Sequence, residues 1–123
     1  MKRALAIALL MATPASAFMA QNDLVVRGTG STSFEVPYRG LSGASDFWCA
    51  AGDYVIRELN LPVTTKIYRT SSPPRRSGQG MTFSLSSENA KRTGLILFGK
   101  SRGVSASFAR EQCNKRWLFE IED

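Results

Sequence analysis

Two cysteines constrain this chain more than any other feature. Cys49 and Cys113 are the only ones among its 123 residues. Pairing them would close a loop of about 65 residues, and the lost entropy of the unfolded chain is then worth about 4 kcal/mol. A domain of this size has a net stability of roughly 5–15 kcal/mol, so one such bridge can decide whether it stays folded. The two lie too far apart for the C-x-x-C geometry that depresses a thiol pKa, which points to a structural staple rather than a redox pair. An even cysteine count implies a bridge in an oxidising compartment, so the chain's address matters.

The N-terminus supplies that address. Met1, Lys2 and Arg3 form a short positive region, and Ala4 to Met11 form an apolar run. Thr13-Pro14 then breaks any helix, and Ala15-Ser16-Ala17 carries the small-x-small pattern of a signal-peptidase site. About eight apolar residues are far short of the roughly 20 that span a bilayer. Residues 1–17 are therefore expected to be a removed secretory signal peptide, not an anchor. Cleavage after Ala20 fits less well, because Phe18 would occupy a small-residue site. No cysteine closely follows the apolar run, which argues against a lipoprotein anchor, and Lys2-Arg3 is not a twin-arginine pair. The alanine-rich style is that of bacterial export signals, which places the chain in the periplasm or the medium.

Residues 18–123 are one domain's worth of chain, without an internal repeat or a transmembrane segment. The formal charge of +6 includes Lys2 and Arg3. Without them 14 basic residues face 10 acidic ones, and Arg outnumbers Lys ten to four. The planar guanidinium fork suits phosphate and carboxylate groups.

Hydrophobic patterning predicts an α+β domain. Leu24–Arg27 and Thr32–Val36 flank Gly28-Thr29-Gly30 as a β-hairpin would. Ser45 and Asp46 suit a helix start. From there residues 46–59 place Phe47, Trp48, Cys49, Ala51, Gly52, Val55, Ile56 and Leu59 on one arc, and Ala50, Asp53, Tyr54, Arg57 and Glu58 on the other. That is an amphipathic helix with an Asp53–Arg57 pair on its wet side, ended by Asn60 and Pro62. Gly52, on the inner arc, would let the helix press close to a sheet. Residues 63–69 and 81–86 alternate as strands, with Met81, Phe83 and Leu85 inward and Thr82, Ser84 and Ser86 outward. Residues 95–98 are a continuous apolar run suited to a central strand. Residues 104–116 read as strand or helix, with a short helix near 105–115 that carries Cys113 and starts at Ser107 preferred. Trp117, Phe119 and Ile121 alternate as a closing strand. The expected fold is an antiparallel sheet of about five to six strands with one main helix on one face and one disulfide. Trp48 and Trp117 are expected in its core.

Two strings resemble nucleotide loops. Gly94 to Ser101 matches G-x-x-x-x-G-K-[ST] letter by letter, but its x residues are Leu-Ile-Leu-Phe, which belong in a sheet. Gly28-Thr29-Gly30 lacks the helix that follows in a dinucleotide site. The chain has no histidine, which excludes Ser-His-Asp and Cys-His catalysis and every His-ligated zinc site. A Ser-x-x-Lys pair is also absent. No cofactor, metal or catalytic residue is therefore predicted, and the chain is not read as an enzyme.

The best candidate binding feature is the Pro73-Pro74-Arg75-Arg76 loop, where two arginines sit on a restricted backbone. Lys66, Arg69, Lys91, Arg92, Lys100 and Arg102 lie near loops or outward strand positions and could extend a basic surface. Export and the absence of a binding motif argue against nucleic acid. The functional expectation is a small exported, disulfide-stapled binding or accessory protein whose basic loop contacts an anionic envelope component or an acidic protein. One alternative is an inhibitor or immunity-type protein that inserts the Pro-Arg loop into an envelope enzyme. A second is a small hydrolase using carboxylates such as Asp46 or Glu88.

Overall fold

The computed structural model of the protein describes residues 17–40, 43–95 and 103–114. Residues 1–16 of the expected signal peptide, residues 96–98 of the expected central strand, most of the Gly94–Ser101 string, Lys100, Arg102 and the expected strand at 117–121 lie outside the described residues. The chain enters through β1 (Phe18–Met19), which pairs antiparallel with β2 (Val25–Gly28). β2 turns back into β3 (Ser33–Val36), and the amides of Thr29 and Gly30 both donate to the Ser33 carbonyl at 2.9 and 3.3 Å. Gly28-Thr29-Gly30 thus serves a hairpin. The remaining strands are β4 (Lys66–Arg69), β5 (Met81–Ser84) and β6 (Val104–Ser105). All six join one antiparallel sheet in the order β1-β2-β3-β5-β4-β6. Among the described residues this six-stranded sheet is joined by two helices and a disulfide, and the domain belongs to the α+β class.

The alternation of apolar residues builds one buried sheet face. Val26, Phe34, Val36, Ile67, Met81, Phe83 and Val104 all lie in the core. Phe34 stands opposite Phe83 across the β3–β5 pair, with ring centroids 5.6 Å apart. Ser84, expected outward, is buried in this central strand, where its hydroxyl accepts the Ser86 amide at 2.9 Å. β4 starts at Lys66 rather than at residue 63. Pro62 and Thr65 close a turn through a 3.0 Å bond, which leaves Val63 46% exposed.

The main helix, α1, spans Ala44–Asp53, and one wide π-type turn continues it over Tyr54–Glu58. It starts slightly earlier than the pattern implied. Gly43 is the N-cap instead of Ser45, and the Asp46 carboxylate accepts the Gly43 amide at 2.8 Å. Asn60, at φ 55°, adopts the left-handed conformation that ends many helices. Trp48 packs edge-on against Phe83 at 4.9 Å and donates its indole N–H to the Thr93 carbonyl at 2.9 Å.

The outer arc of α1 is not wet as expected. Ala50, Asp53 and Tyr54 are buried, and only Arg57 and Glu58 of that arc reach solvent. Two neighbours account for this. The second helix, α2 (Ala106–Glu111), packs along one flank, and the β1 segment covers the other. Gly52 admits α2 rather than the sheet. A Cβ there would lie 2.5 Å from the Arg110 nitrogen and 2.7 Å from the Ala106 oxygen. α2 is capped by Ser105, not Ser107, through a 3.2 Å bond from the Phe108 amide. One further turn carries Cys113 to within 4.8 Å, Cα to Cα, of Cys49, and the two are bonded. The staple therefore ties α2 to α1 one turn from the Gly52 contact.

Asp53 shows what that enclosure requires. Its carboxylate accepts two bonds from Arg57, at 2.8 and 2.7 Å, and one from the Gln21 amide at 2.9 Å. Arg57 in turn lies over the Phe18 ring at 4.9 Å. Burial pushes the carboxyl pKa up, but the Arg57 and Gln21 bonds and the charges of Arg57 and Arg110 outweigh it and hold the pKa below its ordinary value. Among the described residues, no helix is long and apolar enough to cross a membrane.

Candidate functional site

The connection from β4 to β5 is a built loop. Thr70 and Thr82 close its base through a 2.9 Å backbone bond and a 2.8 Å contact between hydroxyls. The Ser71 hydroxyl accepts the Thr82 amide at 3.2 Å. Pro73-Pro74, joined by a cis peptide bond, turn the chain. The Arg76 amide then donates to the Gln79 side-chain oxygen at 2.8 Å, and the Gln79 amide returns to the Arg76 carbonyl at 3.0 Å. Gly78, at φ 79°, supplies the left-handed residue that this tight turn needs.

The two adjacent arginines have different surroundings. Arg75 donates to the Gln79 carbonyl at 3.0 Å, and its guanidinium lies 4.7 Å over the ring of Phe47, in the first turn of α1. This cation–π contact folds the loop back onto the domain. Arg76 is exposed. The loop borders an open cleft of about 420 Å³, lined by Arg69, Ser71, Ser72, Pro73, Pro74, Arg76, Gln79 and Gly80 but not by Arg75. No carboxylate is among these residues.

Arg69 corrects the expected basic surface. It is 2% exposed and lies at the floor of this cleft, not on an outward strand position. Successive residues of a strand point to opposite faces, so Arg69 shares the inward face of Ile67. Its Nε donates to the Ser71 hydroxyl at 3.3 Å and its Nη1 to the Thr93 carbonyl at 3.4 Å, both long bonds. Its Nη2 is buried and has no hydrogen-bond partner among the described residues. Gly94 makes room for the head group. A Cβ there would stand 2.7 Å from Nη1, and Gly94 has φ +84°. Burial, and then the charge of Arg75, lower the Arg69 pKa to about 10, so it remains a cation at neutral pH.

The other basic candidates divide into two groups. The Lys91 amide donates to the Arg69 carbonyl at 2.7 Å, which places the exposed Lys91-Arg92 pair beside the β4 end of the cleft. Lys66 is exposed at the opposite end of β4, opposite Ser105, and does not belong to this cluster. Of the carboxylates considered for hydrolysis, Asp46 caps α1, and Glu88 is exposed beyond β5 with its amide donating to the Ser86 hydroxyl at 3.2 Å; neither lines the cleft. Among the described residues, no three His, Cys, Asp or Glu side chains gather where they could hold a metal ion.

Sequence reasoning missed Arg69 as a buried cation, although a signal was present. Alternation with Ile67 already placed it inward. Comparison with protein-family models, curated proteins and solved structures returned no match.

Proposed function

We propose that this is a small exported binding protein that recognises an anionic partner in the cleft beneath the Pro73-Pro74-Arg75-Arg76 loop. The observation that carries this reading is the lining of the cleft. It brings a buried arginine, an exposed arginine and two serine hydroxyls together, and no carboxylate lines it among the described residues. Serine hydroxyls can donate to an anion, and guanidinium groups offer paired N–H donors. The rigid sheet fixes both ends of the loop, so the donors are held before a ligand arrives.

Two features support export and cleavage after Ala17. The Cys49–Cys113 bond suits an oxidising compartment. Residues 18–20 belong to the fold: Phe18 packs edge-on against Tyr54 at 5.7 Å, and Ala20 is buried with its amide bonded to the Leu24 carbonyl at 2.8 Å. Cleavage after Ala20 would remove β1.

The test is retention of the mature protein on an anionic envelope fraction, with Arg76→Ala and the Arg75→Ala/Arg76→Ala double variant beside wild type. Both variants should keep the wild-type circular dichroism spectrum and elute at lower salt. Elution of all three at the same salt concentration would remove the loop from the binding surface.

A further inference from the structure

Within that reading of the cleft, we propose that Arg69 is the buried anchor of a phosphate-binding site and that the ligand presents a phosphate group to it. The starting point is an imbalance. A charged group removed from water is costly unless it is paired and hydrogen-bonded. Arg69 is buried, keeps its charge, holds two long bonds to neutral oxygens and leaves Nη2 without a partner among the described residues. The inward residues of the neighbouring strand β5, Met81 and Phe83, are apolar, so the charge at this position stands out from its surroundings.

The donors around the cleft favour phosphate over carboxylate. A carboxylate is planar, and one guanidinium fork satisfies its two oxygens. Here the donors sit at different depths: Arg69 is buried, Ser71 half-buried, and Ser72 and Arg76 exposed. A tetrahedral group with three acceptor oxygens and nearly two negative charges at neutral pH matches two arginines and two hydroxyls. A ligand can enter from the rim, because Ser72 and Arg76 are exposed loop residues outside the sheet ladder.

The experiment compares wild type, Arg69→Met, Arg69→Lys and Arg76→Ala by calorimetric titration and thermal melts. The probes are inorganic phosphate, acetate, and vesicles containing phosphatidic acid, a phosphomonoester, against phosphatidylcholine vesicles. Phosphate or phosphatidic acid should bind wild type saturably, and acetate should bind more weakly. Phosphate binding alone assigns a soluble ligand, and binding to anionic vesicles assigns a lipid headgroup. Arg69→Met should melt no lower than wild type without ligand, since it removes an uncompensated charge, yet weaken binding about 100-fold or more. Arg69→Lys keeps a cation but loses the fork and should weaken binding by about tenfold.

Wild-type affinity in Arg69→Met would overturn the anchor. Equal binding of acetate would overturn phosphate as the ligand class. Should neither Arg69 variant fold, the Arg69 Nε–H resonance of the wild-type protein decides, because bound phosphate must shift it and an unmoved resonance overturns the proposal. Salt-sensitive retention that depends on Arg76 alone would leave the loop reading standing without its buried anchor. Binding of none of the three probes would remove the phosphate proposal, and a wild-type salt profile in the Arg76 variants would then remove the loop reading as well.

Discussion

Substituting Gly52 by alanine sets two effects of opposite sign against each other. Alanine is the better helix former, by about 0.8–1.0 kcal/mol in a helix interior. Against this stands the contact with α2. The new Cβ would lie 2.5 Å from the Arg110 nitrogen, 2.7 Å from the Ala106 oxygen and 2.9 Å from the Ala109 Cβ. Two of these are backbone atoms, which cannot rotate away, so α2 must retreat by about 1 Å to restore ordinary contact. A gap of 0.5–1 Å forfeits roughly a quarter to a half of each dispersion contact it opens. Ala106 and Ala109, both 0% exposed, lose contacts across that boundary. The Cys49–Cys113 bond, one turn away on α1, also holds α2 against the retreat. Overpacking of this kind costs about 1–3 kcal/mol and occasionally more. With two backbone atoms in the clash the cost falls in the upper part of that range, about 2–3 kcal/mol, so it exceeds the propensity gain and Gly52→Ala should destabilise the oxidised protein by about 1–2 kcal/mol net. Urea denaturation with the disulfide intact measures this as a lower midpoint at unchanged slope. A variant as stable as wild type, or more so, would refute the close packing of α2 on α1.

Three further outcomes follow from the same packing. Asp53 has its pKa held below the ordinary carboxyl value, so the stability it contributes is fully present above about pH 4 and disappears as pH falls through the folded-state pKa. Asp53→Asn should lower stability at pH 7 by about 1–3 kcal/mol and flatten the acid limb of the stability profile, as read by urea midpoints between pH 2 and 7. Reduction of the disulfide, or Cys49→Ser with Cys113→Ser, should cost about 4 kcal/mol, measured as the fall in unfolding free energy by denaturant titration. On the proposed export and cleavage after Ala17, the protein recovered from cells should have the intact mass of residues 18–123.

The class of fold was legible because β-strands and the main helix carry their own periodicity. Phe34, Met81 and Phe83 alternate with polar neighbours, and Phe47, Trp48, Ala51 and Val55 repeat at helical spacing. The pairing of Cys49 with Cys113 needed only a count and an expected compartment. What could not be read was how many sides of α1 are covered. A helical wheel sees one buried arc, whereas α2 and β1 enclose a second. Ala50 and Tyr54 are neutral about that choice, and Asp53 points the wrong way. Only the tertiary arrangement shows that Arg57 and the Gln21 amide satisfy it.

The candidate site divides in the same manner. The Pro-Arg loop was visible as composition, and the structure adds its enclosure. Arg69 was grouped with surface charges because arginine is seldom buried without a partner. Its strand register contradicted that grouping. Here the general expectation from residue type outweighed a local pattern that was correct. The burial of a cation is the local inconsistency that now singles out the cleft.

The most direct test of the phosphate site is a crystal structure of the mature wild-type protein grown with inorganic phosphate. Density for a tetrahedral anion should lie in the cleft within hydrogen-bonding distance of the Arg69 guanidinium, with Arg76 and a serine hydroxyl as further donors. A cleft without phosphate, with the anion only on surface cations such as Lys91 or Arg92, would contradict the account.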